Sequence, residues 1–212
     1  MSSKIVARRG ILFLALAALL FAHRGVSVAE GAPVGFIKEL DRTVMVTRGG
    51  REIELVQGSE INAFDIIKTG LMGYAMIQLI DGTIIELALN SEAHIVDVAF
   101  SPDAARLNIG INRGDIRLRT GSIGLKNKSG ISITTPRSVI TASNCELIFS
   151  IGREAEAVNI VWMPKGPEVN VLNVNTGSLL KVKRSQVAIL TDIDNNMTVS
   201  DIIEEGAAEE TR

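Results

Sequence analysis

The chain has few of the residues that carry out chemistry. Its 212 residues include one cysteine and two histidines, and aromatic residues make up 4%. A catalytic triad needs an imidazole beside its nucleophile, and a zinc site needs several histidine or thiolate ligands, so neither is expected. Cys145 has no partner for an intrachain disulfide, and its apolar neighbours predict a buried, inert thiol. We therefore predict a protein that is not an enzyme and has no metal or cofactor.

Three other polar features are candidates for a site. His94, in the stretch SEAHIVDV, is expected to be a half-exposed strand residue. The loop at residues 191–196 could hold a cation, but it lacks the glycine and distal glutamate of an EF-hand, so an ordinary polar turn is expected. Paired carboxylates for glycoside hydrolysis stay open, because the sequence does not give their separation.

The first 29 residues have the pattern of a secretory signal peptide. Three basic residues precede an apolar run at residues 11–22, and Ser27 and Ala29 supply the small residues of a cleavage site. Twelve helical residues rise ~18 Å, which is short of a hydrocarbon core of ~30 Å. We expect cleavage before Glu30, export to the periplasm or extracytoplasmic envelope, and no stable membrane span afterwards.

The exported part is acidic. Residues 30–212 contain 18 Lys and Arg against 24 Asp and Glu, a formal net charge of −6. A nucleic-acid partner is therefore not expected, because binding to phosphates needs a basic face. The composition predicts a β domain at residues 30–191, and then an acidic tail at residues 192–212 with one short helix capped by Ser200.

Short apolar or alternating segments separated by glycine turns predict an all-β fold. We expect many short antiparallel strands in an irregular β-solenoid or a sandwich-like domain. Asp81-Gly82 predicts a hairpin with a type I′ turn, and Arg113-Gly114 predicts a turn between two strands. The hairpin around Asp81 is apolar nearly throughout, which predicts burial on both faces or, as the alternative, one face docked on a partner.

The stretch LVQGSEINAFDIIKTGLMGYAMIQLIDGTIIELALNSEAHI, residues 55–95, resembles the FecR domain family. A later glycine, a Thr-Pro segment (ITTPRSVITASNCELIFS) and the closing strands (VLNVNTGSLLKVKRSQVAIL) extend the resemblance over residues 35–190. The residues at matching places are Gly58, Asp65, Ile67, Thr69, Asp81, Gly82, Leu87, Gly114, Thr135 and Pro136.

Two positions depart from the family pattern. The family usually has Arg-Gly-Thr after the Thr-Pro strand, where this chain has Ser143, Asn144 and Cys145; Asn144 can still adopt the left-handed backbone that glycine allows. Phe64 stands where glycine is common before Asp65, so we expect that turn to be built differently. Prototype members are inner-membrane regulators with a cytoplasmic segment that handles a sigma factor. Because an export signal begins at the first residues, we expect a sensing or docking domain without that segment.

The resemblance implies an exported, non-enzymatic protein that binds another envelope protein in signalling or assembly. We expect contact through strand edges or an apolar patch, at the hairpin or at residues 179–190, because edge pairing makes little demand on side-chain identity. The alternative is a glycan- or peptidoglycan-associated module, against which the single Trp and single Tyr argue. The identity of the partner and the oligomeric state stay open.

Overall fold

The computed structural model describes residues 33–101, 103–152, 159–191 and 197–202. In these residues the chain forms seventeen strands and one short helix, α1 (Ser122–Lys126). The strands are β1 (Pro33–Asp41), β2 (Val44–Arg48), β3 (Arg51–Glu54), β4 (Glu60–Asn62), β5 (Ile66–Thr69), β6 (Tyr74–Leu79), β7 (Ile84–Leu87), β8 (Glu92–Ala99), β9 (Arg106–Arg119), β10 (Ile131–Thr134), β11 (Ser138–Ala142), β12 (Glu146–Ile151), β13 (Asn159–Lys165), β14 (Val169–Asn173), β15 (Leu179–Val182), β16 (Gln186–Leu190) and β17 (Met197–Asp201).

The strands form two sheets that share β9. Sheet A has the order β4-β1-β6-β7-β9-β12-β13-β16-β17. Sheet B has the order β3-β2-β5-β8-β9-β10-β11-β14-β15. All pairs are antiparallel except β9 with β10. The all-β prediction is confirmed, and of its two forms the sandwich-like one describes these two sheets.

Strands cross from one sheet to the other at two places, which we call the first bend and the second bend. At the first bend β1 leads to β2, β5 to β6 and β7 to β8, and β9 crosses at Gly114. The residues that make these four crossings are 42–43, 70–73, 88–91 and 113–114. At the second bend β11 leads to β12, β13 to β14 and β15 to β16, through residues 143–145, 166–168 and 183–185. The predicted turn at Arg113-Gly114 is wrong in one respect, because a single strand continues through it.

Residues with positive φ make these crossings possible. The first bend contains Arg42, Asn90 and Gly114, with φ of 58°, 56° and 92°. The second contains Asn144, Gly166 and Ser185, with φ of 43°, 121° and 61°. The prediction that Asn144 takes the left-handed conformation is confirmed. Such residues turn a strand sharply, as the left-handed residue of a β-bulge does.

One hydrophobic core receives side chains from both sheets. Isoleucine, leucine and valine supply most of it, at alternate positions along the strands, as expected where each sheet has an inner face. The predicted hairpin forms β6 and β7 in the middle of sheet A. Ile84, Ile85 and Leu87 are buried, and the outward side chains of β6 are half-buried, so the apolar run reflects the hairpin's central position.

The described structure also corrects one expectation, which concerns the C-terminal tail. The predicted tail at residues 192–212 contains β17, which pairs with β16 along five residues, so Ser200 lies in a strand. Three predicted features lie wholly or mostly outside the described residues. They are the signal peptide (residues 1–29), the polar loop (residues 192–196 of it) and the rest of the tail (residues 203–212). The sequence analysis did not predict α1.

Candidate functional site

Asp65 lies at the start of β5 and is fully buried. Arg48 of β2 binds its carboxylate in a bidentate manner, with Nε donating to Oδ1 at 2.8 Å and Nη2 donating to Oδ2 at 2.7 Å. The backbone N–H of Asn62 also donates to Oδ2, at 2.8 Å. The carboxylate is thus occupied by an ion pair that joins β2 to the β4–β5 turn, where Phe64 has a φ of 69°. The family's glycine position therefore keeps a left-handed backbone with phenylalanine in it.

Thr69 and Gly114 lie together at the first bend. The Thr69 hydroxyl donates to Ala88 O at 2.6 Å and accepts from Ser91 N at 2.8 Å. The Ser91 hydroxyl donates to Asp115 O at 3.1 Å. A Cβ on Gly114 would be 2.2 Å from Ser91 Oγ, so a residue with a side chain does not fit there. These residues connect three crossing strands.

Asp81 has two roles in the β6–β7 turn. Its Oδ1 accepts from Thr83 N at 2.9 Å, and its Oδ2 accepts from the Thr83 hydroxyl at 3.0 Å and from Ile123 N of α1 at 3.2 Å. The side chain therefore caps a helix 42 residues away in the sequence. The predicted type I′ turn is wrong, because Gly82 has a φ of 85° while Asp81 is not left-handed. Gly82 N donates to Leu79 O at 3.0 Å, so the connection is a longer turn with glycine at its left-handed position.

The remaining motif residues also shape turns. The hydroxyl of Thr135 accepts from Ser138 N at 3.0 Å and closes the β10–β11 turn around Pro136. Gly58 has a φ of 82° between β3 and β4, and its N–H donates to Ile37 O at 2.8 Å. These motif residues therefore lie at several different joints of the fold, with Thr69 and Gly114 at the same bend, and they do not form a pocket together.

The reactive side chains lie apart from one another. The described residues contain no group of three or more His, Cys, Asp or Glu side chains that could hold a metal ion. Cys145 is buried as predicted, and burial raises the pKa of its thiol to about 11. His94 is half-buried in β8, opposite Ile66 and Gly110. A cavity of about 140 Å³ lies between Ile80, Phe100 and α1, but the Asp81 carboxylate at its wall is already used in capping.

An unpaired strand edge is the feature that the sequence motifs did not reveal. Strand β15 pairs with β14, and within the described ranges no strand pairs with its other side, which we call the β15 edge. Asn173 N donates to Ser178 O at 2.8 Å. Because bonded pairs alternate along an antiparallel ladder, the N–H groups of Leu179 and Lys181 point outward at this edge.

An apolar stripe leads to the β15 edge across the outer face of sheet B. It consists of Val139, Leu172 and Leu179, which are direct neighbours on β11, β14 and β15. Leu172 is 37% exposed and Leu179 is 59% exposed. By contrast β3, at the opposite end of the sheet, is a charged strand with all four residues exposed. Charged side chains protect an edge from pairing, so β15 is the less protected of the two.

Basic residues surround the β15 edge. Lys181, Lys183 and Arg184 are exposed, and Lys181 Nζ donates to Glu168 Oε1 at 2.6 Å. This hydrogen bond is the largest of the influences that lower the pKa of Glu168. The arrangement suits an extended, acidic segment that adds a strand to sheet B.

Comparisons with known proteins agree with this architecture. Residues 65–162 match the family model described as FecR protein. Two crystal structures, each of a proposed anti-sigma factor from Parabacteroides distasonis ATCC 8503, have a similar fold, with TM-scores of 0.53 and 0.52 at 13% and 14% identity. Each alignment covers 64% of this chain and 59% of the solved chain, so it spans about three fifths of those proteins. A search of curated proteins gave no match.

Proposed function

We propose that this chain, which carries a FecR domain, is a non-enzymatic signalling protein of the cell envelope that acts by binding another protein. Three observations support the proposal. The FecR domain covers residues 65–162, the similar solved structures are proposed anti-sigma factors, and residues 1–29 have the pattern of an export signal. The polar atoms of the motif residues are engaged in joints of the fold, which fits a binding scaffold better than a catalytic site.

The β15 edge, together with the apolar stripe, is the observation that carries the proposal. A partner strand can accept hydrogen bonds from the N–H groups of Leu179 and Lys181 and lay its side chains beside Leu179, with Leu172 the next residue of the stripe. The predicted contact region at residues 179–190 includes this edge. The predicted hairpin is less suited, because β6 is paired with β1 and β7, and β7 with β6 and β9.

Site-specific cross-linking tests the proposal. A photoreactive residue replaces Leu172 in the stripe, and in a control protein it replaces Ile53, which is 44% exposed on β3. Both proteins are expressed in the cells that naturally produce the chain. We expect a protein cross-link at position 172 that is at least tenfold more abundant than at position 53.

A proline pair shows whether the edge itself is used. Lys181→Pro removes an outward N–H and should abolish the cross-link, because proline cannot donate to an added strand. Glu54→Pro removes an outward N–H from β3 in the same way and should leave the cross-link unchanged. Equal cross-linking in both variants would exclude the edge, and recovery of cell-wall fragments without protein would favour the glycan alternative.

Export is tested by sequencing the N-terminus of the protein recovered from the envelope fraction. We expect it to begin at Glu30. Recovery of residues 1–29 in the cytoplasmic fraction would contradict the proposed location.

A further inference from the structure

The cavity of about 140 Å³ beside α1, which we call the α1 cavity, is open to solvent and mostly apolar. Ala105 and Ile123 are buried at its inner end, whereas Ile80 and Phe100 are 64% and 37% exposed at its opening. The other lining residues are Asp81, Ser122 and Lys126. An apolar cavity of ~150 Å³ holds one benzene ring. The α1 cavity therefore has room for one apolar group of about that size.

Hydrogen bonds hold the walls of the α1 cavity together. Ser122 N donates to Asp81 O at 2.8 Å, and Ile123 N donates to Asp81 Oδ2 at 3.2 Å, which joins the start of α1 to the β6–β7 turn. At the other end of α1, Asn127 Nδ2 donates to Ala105 O at 3.2 Å. The cavity is thus part of the folded framework. A ligand that enters a preformed cavity has little ordering cost to overcome.

The two charged groups that line the α1 cavity differ in how they are bonded. The Asp81 carboxylate accepts three hydrogen bonds, two from Thr83 and one from Ile123. Lys126 is exposed, and within the described ranges its ammonium group has neither an ion pair nor a hydrogen bond, unlike that of Lys181. The cavity therefore offers an unpaired cation beside apolar surface, and an anion is the charge that complements it.

We propose that the α1 cavity binds a small molecule in which one apolar group is joined to a carboxylate. The apolar group lies against Ala105 and Ile123, and the carboxylate pairs with the ammonium group of Lys126 at the opening. A carboxylate suits the site better than a phosphate, because a second negative charge would add repulsion from Asp81. Such a ligand would give the domain a sensing role in addition to protein binding, and the site does not depend on the β15 edge.

Titration of the isotope-labelled protein with phenylacetate, followed by NMR, tests the site. Phenylacetate carries one ring and one carboxylate, and we expect saturable chemical-shift changes at the backbone amides of Ile123 and Lys126. Phenylacetamide has the same ring without the charge and should bind about fivefold more weakly, as expected for the loss of an exposed ion pair. Acetate has no ring and should cause no saturable change at Ile123. The absence of saturable changes with phenylacetate would overturn the proposal.

Two lysine variants test the place of the carboxylate. Lys126→Met should weaken phenylacetate binding about fivefold and leave phenylacetamide binding unchanged. Lys128→Met is the matched control, because Lys128 is also exposed but does not line the cavity, and it should change neither affinity. Both side chains are exposed, so the fold should be retained. Equal affinity of the two variants for phenylacetate would overturn the proposal, and so would tighter binding of 2-phenylethylamine, which carries the opposite charge.

A cavity-filling variant tests the place of the apolar group. Ala105→Leu puts three more carbon atoms at the inner end of the α1 cavity and should weaken phenylacetate binding at least tenfold. Leu125→Ala is the control on the same helix, since Leu125 is 66% exposed and does not line the cavity, and it should leave the affinity unchanged. The dispersion of the NMR spectrum shows whether each variant is folded. Undiminished binding by folded Ala105→Leu would overturn the proposal, and the lysine pair decides if that variant does not fold.

Discussion

At the first bend two hydroxyl side chains join three crossing strands, whereas at the second bend one hydroxyl contacts one residue. Thr69 and Ser91 connect the β5, β7 and β9 crossings. At the second bend the Thr120 hydroxyl donates to Cys145 O at 3.1 Å and accepts from Cys145 N at 2.9 Å. The crossings there also use the left-handed backbones of Asn144, Gly166 and Ser185.

The residues before Gly114, which we call the first half, and those after it, which we call the second half, also differ in the exposure of an ion pair. In the first half the Arg48–Asp65 pair is enclosed, with the two side chains 21% and 0% exposed. In the second half the Arg117–Glu146 pair is partly open to water, because the Arg117 side chain is 51% exposed while the Glu146 side chain is only 11% exposed. The buried Asp65 carboxylate is therefore held by a cation that is itself mostly buried, whereas Glu146 is held by a cation that is half exposed.

The largest expected effect is the loss of the enclosed ion pair. Arg48→Met leaves the Asp65 carboxylate buried without its cation and should lower the free energy of unfolding by about 3–5 kcal/mol. Arg117→Met is the matched change at the half-exposed pair and should cost less than Arg48→Met, because the Glu146 side chain keeps some contact with water. Urea denaturation of the two variants measures the difference. Equal losses would mean that the halves do not differ in this respect.

Glycine substitutions at the bends should have the next largest effect. Gly114→Ala places a Cβ 2.2 Å from Ser91 Oγ, and Gly166→Ala places one 2.4 Å from the Cβ of Cys145. With left-handed strain and overpacking combined, each should cost about 3–4 kcal/mol. Gly177→Ala is the control, since its φ is also positive but no atom lies within 4 Å, and it should cost about 1–2 kcal/mol. Thermal unfolding of the three variants would show whether crowding at the bends adds to the strain.

The smallest effect is a pH dependence confined to the second bend. Burial raises the pKa of the Cys145 thiol from 9.0 to about 11, so the folded state favours the neutral thiol. This contribution is fully present below pH 9 and is lost as the pH rises through 11; a shift of this size corresponds to about 2–3 kcal/mol.

Denaturation at pH 8 and pH 11 of the native protein and of Cys145→Ala isolates this contribution. We expect the native protein to lose more stability than the variant, because other groups titrate equally in both. The native thiol should also react slowly with a thiol reagent at pH 8 and rapidly in urea. A thiol that reacts equally fast in both conditions would contradict its burial.

Much of the domain could be predicted from local patterns. Alternating apolar residues predicted most strands and the core, and the order of Asp65, Thr69 and Asp81-Gly82 indicated the resemblance to the FecR family, whose model matches residues 65–162. Two turn predictions were wrong because the residues concerned contact parts of the chain that are distant in the sequence. Asp81-Gly82 looked like a two-residue hairpin turn, but its carboxylate caps α1, and Arg113-Gly114 looked like a turn, but it carries β9 from one sheet to the other.

The β15 edge and the apolar stripe could not be predicted from local sequence patterns. Residues 179–190 were predicted as a contact region from their place in the closing strands, and only the pairing of β15 showed which four of them lie at an edge. An edge is defined by the absence of a neighbour, and no pattern within a strand records which strands lie beside it. The apolar stripe likewise joins Val139, Leu172 and Leu179, which become neighbours through strand pairing.

The sequence by itself determined that the fold is all-β, that Asp81-Gly82 turns the chain between two strands, and that Cys145 is buried, because these properties follow from side-chain periodicity and from the conformations that glycine allows. The tertiary structure decided where the strands cross between sheets, what Asp81 and Asp65 bind, and which strands stand at the ends of the two sheets. Those features depend on contacts between residues far apart in the chain, and long-range pairing is set by the packing of the whole domain.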